Sequence, residues 1–155
     1  MLTQARVIFG GDEILTKKCE ELFSQRFMNR TFIHTDSTTA EYIKYMNNNF
    51  FASKVSIMNE FYRLAQNIGV NWSDAIYGFV SDHRIGDSHL HVPGPDGKFG
   101  FGGTCFPKDI NALINFAKEK GIKMNMLEAA WKTNLEVRPE EDWKDLKGRA
   151  VSDDE

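Results

Sequence analysis

The residues best suited to chemistry stand together in FGFGGTCFPKD, Phe99 to Asp109. Cys105 is one of only 2 cysteines in the chain. Pro107 suits the first turn of a helix, because the N–H it lacks would have no partner there. A helix starting at Pro107 puts Cys105 just before its N-terminus, where the positive end of the dipole favours a thiolate; Lys108 adds a cation. Gly100, Gly102 and Gly103 let the backbone approach a ligand closely and leave amides uncovered by side chains. Asp109 follows Cys105 by one helical turn, placed to cap, to pair with Lys108 or to hold a water. A plainer reading stands beside this one: Cys105 as a small core residue and the glycines as turn residues. Spacing alone does not choose between them.

Two further clusters bear on the choice. Lys44 and Asn48 are spaced to project from one helix face, interrupting an apolar neighbourhood. Asn47, Asn48 and Asn49 in a row are poor helix chemistry, since each amide competes for backbone partners. That cost makes a polar functional patch more plausible, beside the plainer reading of a solvated lysine with surface amides. In Asp82-His83-Arg84-Ile85-Gly86, Arg84 is equipped either to clamp a phosphate or carboxylate, or to pair with Asp82 or Asp87. His83, His89 and His91 match no familiar zinc spacing, so no metal is assigned.

These groups need elements to hold them. Arg6 to Gly11 reads as a short strand closed by glycines. Asp12 to Phe27 reads as a helix with Ile14, Leu15, Cys19, Leu22 and Phe23 on its apolar side. Thr31 to Thr35 is a second strand. One strand–helix–strand unit cannot cover both of its faces, so a neighbour is expected. Thr38 to Glu41 has a capping-box pattern. The helix it opens runs without Gly or Pro to about Ile68, and Gly69 ends it. It carries two apolar stripes: Ile43, Met46, Phe50, Ile57, Phe61, Leu64 and Ile68, and beside them Phe51, Val55, Met58, Tyr62 and Ala65. Such a helix is expected to be buried on two sides. Short helices follow over 72–80, with Ser73 or Asp74 as cap, over 107–120 and over 124–137, with Leu127, Trp131 and Leu135 turned inward. The charged run from Arg138 onward reads as a solvated tail or linker.

Composition removes several functions. With 155 residues, 41% hydrophobic and 26% charged, the chain fits one ordinary globular domain. A net charge of -3 gives no electrostatic footprint for nucleic acid or an anionic membrane. No apolar run approaches a membrane span. Cys19 and Cys105 form no CxxC pair, and read as free thiols of a reduced, cytoplasmic protein.

AEYIKYMNNNFFASKVSIMNEF, SDHRIG and GFGGTCFPKD, in this order and approximate spacing, resemble the UDP-glucose/GDP-mannose dehydrogenase family. The similarity runs from about Arg6 to Val137, and the longer loop PGPDGKFGFGG resembles the UDP-glucose branch. The resemblance implies a mostly helical fold. A strand–helix–strand remnant of a Rossmann-type NAD-binding sheet would occupy 1–37, a helical dimerisation domain with one long central helix 38–137, and a charged tail 138–155. Cys105 would be the nucleophile, Lys44 and Asn48 would stabilise an oxyanion, and Asp109 would serve the hydrolytic water. Arg84 and the loop Phe99, Gly100, Phe101, Gly102 and Gly103 would bind substrate, with Lys44 and Asn48; Cys105 and Lys108 would lie near NAD. The implied reaction is a two-step NAD-dependent oxidation of UDP-glucose to UDP-glucuronate through a thiohemiacetal and a thioester. Implied partners are UDP-glucose or a related nucleotide sugar, a second copy through the long helix, and a separate Rossmann half; neither nucleic acid nor membrane is expected. No GxGxxG fingerprint occurs, so the chain reads as a fragment whose activity by itself is open. Alternatives within the resemblance are a GDP-mannose or UDP-N-acetylmannosamine dehydrogenase fragment, or a non-catalytic dimerisation and assembly module.

Overall fold

A computed structural model of the chain describes residues 6–146. The first strand, β1 (Arg6–Gly10), is followed by helix α1 (Glu13–Arg26) and strand β2 (Thr31–Thr35). The strands pair in parallel, Arg6 with Thr31 through Gly10 with Thr35. A parallel pair requires a crossover connection, and α1 supplies it. Asp12 caps α1 by accepting from the amides of Ile14 and Leu15. The apolar side of α1 is less covered than its pattern suggests: Ile14, Leu15, Leu22 and Phe23 are exposed. Two strands offer too little surface to bury a helix face.

The long helix α2 (Ser37–Ile68) begins earlier than the capping box implied. Asp36 is the cap: its carboxylate accepts from the Thr39 amide at 2.9 Å and the Thr39 hydroxyl at 2.6 Å. The Thr39 bonds hold the Asp36 carboxyl below its ordinary range. Gly69, at φ +75°, lets the chain leave the helix through the left-handed region. By internal contacts the described residues divide after Met46, within α2 itself.

Beyond that division lie α3 (Trp72–Val80), α4 (Cys105–Glu119), α5 (Asn125–Val137) and a short 3-10 turn, Asp142–Asp145. Asn71 caps α3, accepting from the amides of Ser73 and Asp74. Ser73 and Asp74 are therefore first-turn residues, not the cap. One apolar cluster joins Ala52 of α2, Phe101, Ile110 of α4 and Ala130 of α5, with Phe106, Leu127 and Trp131 packed against it. A second joins Met58, Leu90 and Val92, with Tyr62, Trp72 and Ile76 around them. These clusters use the second stripe of α2. The first stripe is not covered: Met46, Phe50, Ile57, Phe61, Leu64 and Ile68 are all exposed.

The expected solvated tail does not begin at Arg138. Arg138 is only 2% exposed, Trp143 is buried, and the Trp131 and Trp143 rings lie 5.2 Å apart. The charges of this run are spent on partners: Arg138 bonds Asp142, and Lys98 pairs with Glu140. The part of the expected tail after residue 146 lies outside the described residues. Among the described residues no helix is long and apolar enough to cross a membrane.

Candidate active site

The start of α4 brings together four of the groups that the sequence singled out: Cys105, Lys108, Asp109 and Asn48. Cys105 is the first helical residue rather than the residue before the helix, and Pro107 stands third. Proline still fits there, because amides of the first turn lack intrahelical partners. Pro107 is buried and Phe106 packs into the first apolar cluster, while Cys105 remains exposed and free. The Thr104 hydroxyl lies 3.7 Å from Sγ, and Thr104 makes no side-chain cap bond. An accessible thiol thus sits at the positive end of a helix anchored by its neighbours.

One turn later Asp109 is fully buried. Asn48 Nδ2 donates to one carboxylate oxygen, and Lys108 Nζ to the other at 2.8 Å. Asn49, also buried, donates to the Asp109 carbonyl at 3.3 Å. The polar run on α2 is therefore a docking edge for α4 rather than an idle surface. An ionised acid out of water needs such charge-assisted partners. The Lys108 charge is directed to Asp109. Lys44 belongs to the stretch before the Met46 division; it is exposed, with its ammonium 4.7 Å from the Tyr45 ring centre.

The glycine loop is held from beneath. The Gly100 amide donates to Asn59 Oδ1 at 3.2 Å. Asn134, fully buried on α5, accepts from the Phe101 amide at 2.7 Å and donates to the Phe101 carbonyl at 3.0 Å. Those two loop amides are committed to the protein, not offered to a ligand as the glycine pattern implied. Gly100 has φ +66°, and a Cβ there would collide with Asn134 Oδ1 and crowd Val137. A Cβ on Gly102 would strike the Arg138 guanidinium. Gly103, at φ +70°, has open space at its Cβ position. Phe99 is partly exposed and packs on Tyr62. Arg138 donates to the Phe99 carbonyl at 3.3 Å, to Asp96 at 2.7 Å and to Asp142 at 2.8 and 2.9 Å. These carboxylates hold Arg138 protonated well beyond its ordinary range, the Asp142 bond contributing most. In return the Arg138 bond depresses the Asp142 carboxyl. Burial pulls Asp96 upward, but the Arg138 bond and the Lys98 amide outweigh it and leave Asp96 below its ordinary value.

Arg84 takes the structural option left open by its loop. Its Nε and Nη2 bond the Asp82 carboxylate at 3.0 and 2.6 Å, with the arginine side chain 90% exposed. His89 stacks on Phe51 at 4.2 Å and leans on Phe106 at 5.6 Å. Burial, then the Lys54 charge, pushes its pKa below the ordinary value. Asn59, Asn134 and Arg138 escaped the sequence reading. The signals available were an asparagine within the apolar pattern of α5 and a tryptophan within a charged run.

The model of the UDP-glucose/GDP-mannose dehydrogenase family, central domain, matches residues 38–136. The chain belongs to the UDP-glucose/GDP-mannose dehydrogenase family. A UDP-glucose 6-dehydrogenase of Rickettsia felis is 42% identical over 134 residues, 83% of this chain and 28% of that protein. One from Bacillus subtilis is 35% identical over 130 residues, again 83% of this chain and 28% of the relative. The solved UDP-glucose dehydrogenase of the archaeon Pyrobaculum islandicum superposes with a TM-score of 0.73 at 30% identity. That superposition covers 84% of this chain and 29% of the archaeal one. The mostly helical fold, with its long helix and parallel strand pair, is therefore the fold of this family. The chain spans less than a third of the length of these relatives.

The described residues carry no GxGxxG dinucleotide fingerprint. Gly10 after β1 serves packing, because a Cβ there would meet Ala40 Cβ and the backbone of Ser37 and Asp36.

Proposed function

We propose that this chain supplies the thiol-bearing part of a UDP-glucose 6-dehydrogenase that forms UDP-glucuronate. The single observation that carries the reading is the exposed Cys105 thiol at the start of α4, one turn from the buried Asp109 that Asn48 and Lys108 both donate to. Residues 38–137 would be a central helical dimerisation domain, residues 1–37 the end of a Rossmann-type unit, and the location cytoplasmic.

NAD would accept the hydrides of both oxidations, with Cys105 and Lys108 near it, while the described residues carry no GxGxxG fingerprint for its dinucleotide. The chain's own part is nucleophilic. Cys105 Sγ adds to the C6 aldehyde carbon, and the carbonyl oxygen takes the negative charge and then a proton, giving a thiohemiacetal. In the final step water adds to the thioester carbon and the thiolate leaves, which regenerates Cys105. The developing oxyanion is the group for which Asn48 and Lys44 would be donors. Asp109 would keep the Asn48 amide and Lys108 aligned and serve the hydrolytic water. Arg84 would exchange Asp82 for the diphosphate, and Phe99 to Gly103 would cover the sugar nucleotide.

The exposed stripe Phe50, Ile57, Phe61, Leu64 and Ile68 supports a homodimer through α2. Light scattering is expected to give twice the chain mass at micromolar concentration; a monomer there would overturn the dimer. A second reading, an assembly module without chemistry, is favoured by the exposed apolar stripe of α2. One experiment separates the two. The matched segment is grafted into the Rickettsia felis enzyme, and NADH formation from UDP-glucose is followed for the graft and for the chain alone. Turnover by the graft supports the catalytic reading; a folded graft without turnover supports the assembly reading.

A further inference from the structure

We infer that Asn134 is a positioning residue, whose carboxamide fixes Phe101 and through it the route by which the glycine loop delivers Cys105 to α4. Both polar ends of this fully buried side chain go to one residue's backbone, Oδ1 to the Phe101 amide and Nδ2 to its carbonyl. A buried amide is costly unless both ends are satisfied, so a space-filling role would suit an apolar residue better. The clamp and the loop fit each other: Asn134 Oδ1 occupies the place a Gly100 side chain would take. Asn59 holds the Gly100 amide from α2, so the loop is gripped from two helices. The link to the thiol is direct, since the Phe101 ring meets the ring of Phe106, the residue after Cys105, at 5.9 Å edge to face. Displacement of Phe101 therefore reaches the first turn of α4.

Two variants distinguish positioning from bulk. Asn134→Leu keeps the branched shape and removes both bonds. Asn134→Asp keeps the acceptor, but when ionised it lacks the donor and faces the Phe101 carbonyl; when protonated it restores both bonds. Burial raises the pKa of such an acid, which brings the change into an accessible range. The charged groups around it are Arg138 with Asp96 and Asp142, and Glu60, which accepts from Thr133. Wild type measured at each pH accounts for their contribution.

In a Cys19→Ser background, where Cys105 is the remaining thiol, hydrogen exchange at the Phe101 amide and iodoacetamide alkylation of Cys105 are followed together. Exchange is corrected for its intrinsic pH dependence, and alkylation is expressed relative to the Cys19→Ser parent at the same pH. Asn134→Leu is expected to speed Phe101 exchange at least ~10-fold at every pH, as loss of both bonds requires. Asn134→Asp is expected to do so near pH 8 and to return to within ~3-fold of the parent near pH 5, with the alkylation ratio following. Unchanged protection in the folded leucine variant overturns the inference. So does acceleration spread equally through α4 and α5, or a pH-independent alkylation ratio in the aspartate variant. If the leucine variant does not fold, the aspartate series alone decides. The catalytic meaning of the clamp rests on the proposed function. Neither readout needs turnover, so an inactive chain and a failed clamp remain separate results.

Discussion

Arg84 and Arg138 both meet carboxylates, yet they belong to opposite kinds of region. Arg84 is almost wholly exposed and bonds an aspartate two residues away in its own loop. Asp82 lies below and Arg84 above its ordinary pKa, each because of their mutual hydrogen bond. Such a pair is weak, and a stronger anion displaces it easily. Arg138 is buried and shared between Asp96, Asp142 and the Phe99 carbonyl. It ties the glycine loop to the segment after α5. The difference is one between a group available for exchange and a group committed to shape. The thiol, Phe99 and Arg84 are exposed, while Asn59, Asn134 and Arg138 support the glycine loop from inside.

The contrast is tested by stability, beginning with the largest effect. Arg138→Met should cost about 3 kcal/mol and lower the melting temperature, since it strands two carboxylates; their partial exposure keeps the loss from being greater. The same variant should lose a pH term. Asp96 and Asp142 have depressed folded-state pKa values, so their stabilisation is present above about pH 4 and disappears as pH falls through the folded values. Wild type should therefore lose stability below about pH 4 more steeply than Arg138→Met, as seen in paired melts. Gly100→Ala comes next, at about 2 kcal/mol, from the left-handed backbone and the collision with Asn134.

His89 gives a smaller effect. Its folded-state pKa is lowered by burial and by Lys54, so the unfolded chain binds the proton more readily. Stability should fall as pH drops through about 6.5, the ordinary histidine range, toward the folded value. His89→Phe keeps a ring on Phe51 and removes this loss. A constant difference between the two melting curves across about pH 5.5 to 7.5 would mean that the fold does not disfavour the charged ring. Arg84→Ala should have the least effect on the melting temperature, yet it should raise KM for UDP-glucose in the graft. A melting shift as large as that of Arg138→Met would break the contrast.

The sequence made the local features readable. The strand–helix–strand opening, the stop at Gly69 and the thiol at a helix start all follow from residue type and short spacing. Even there, competition moved details: the Asp36 carboxylate took the cap from Thr38, and Asn71 took it from Ser73. The loop supports were harder to read because their bonds cross the fold. Asn134 meets a residue 33 positions away and Asn59 one 41 away, with no periodicity to signal either. Arg138 was hidden by its charged surroundings, although Trp143 in the same run has little reason to lie in a solvated tail. The apolar stripe of α2 was legible as a pattern, but one chain has nothing to cover it among the described residues.

The central claim is that Cys105 is the nucleophile, and one substitution addresses it directly. In the Rickettsia felis graft, Cys105→Ser should leave the melting temperature unchanged, because the side chain is exposed. UDP-glucuronate formation should fall at least ~1000-fold with loss of the thiol. A folded Cys105→Ser graft that makes UDP-glucuronate at the parent's rate would contradict the account.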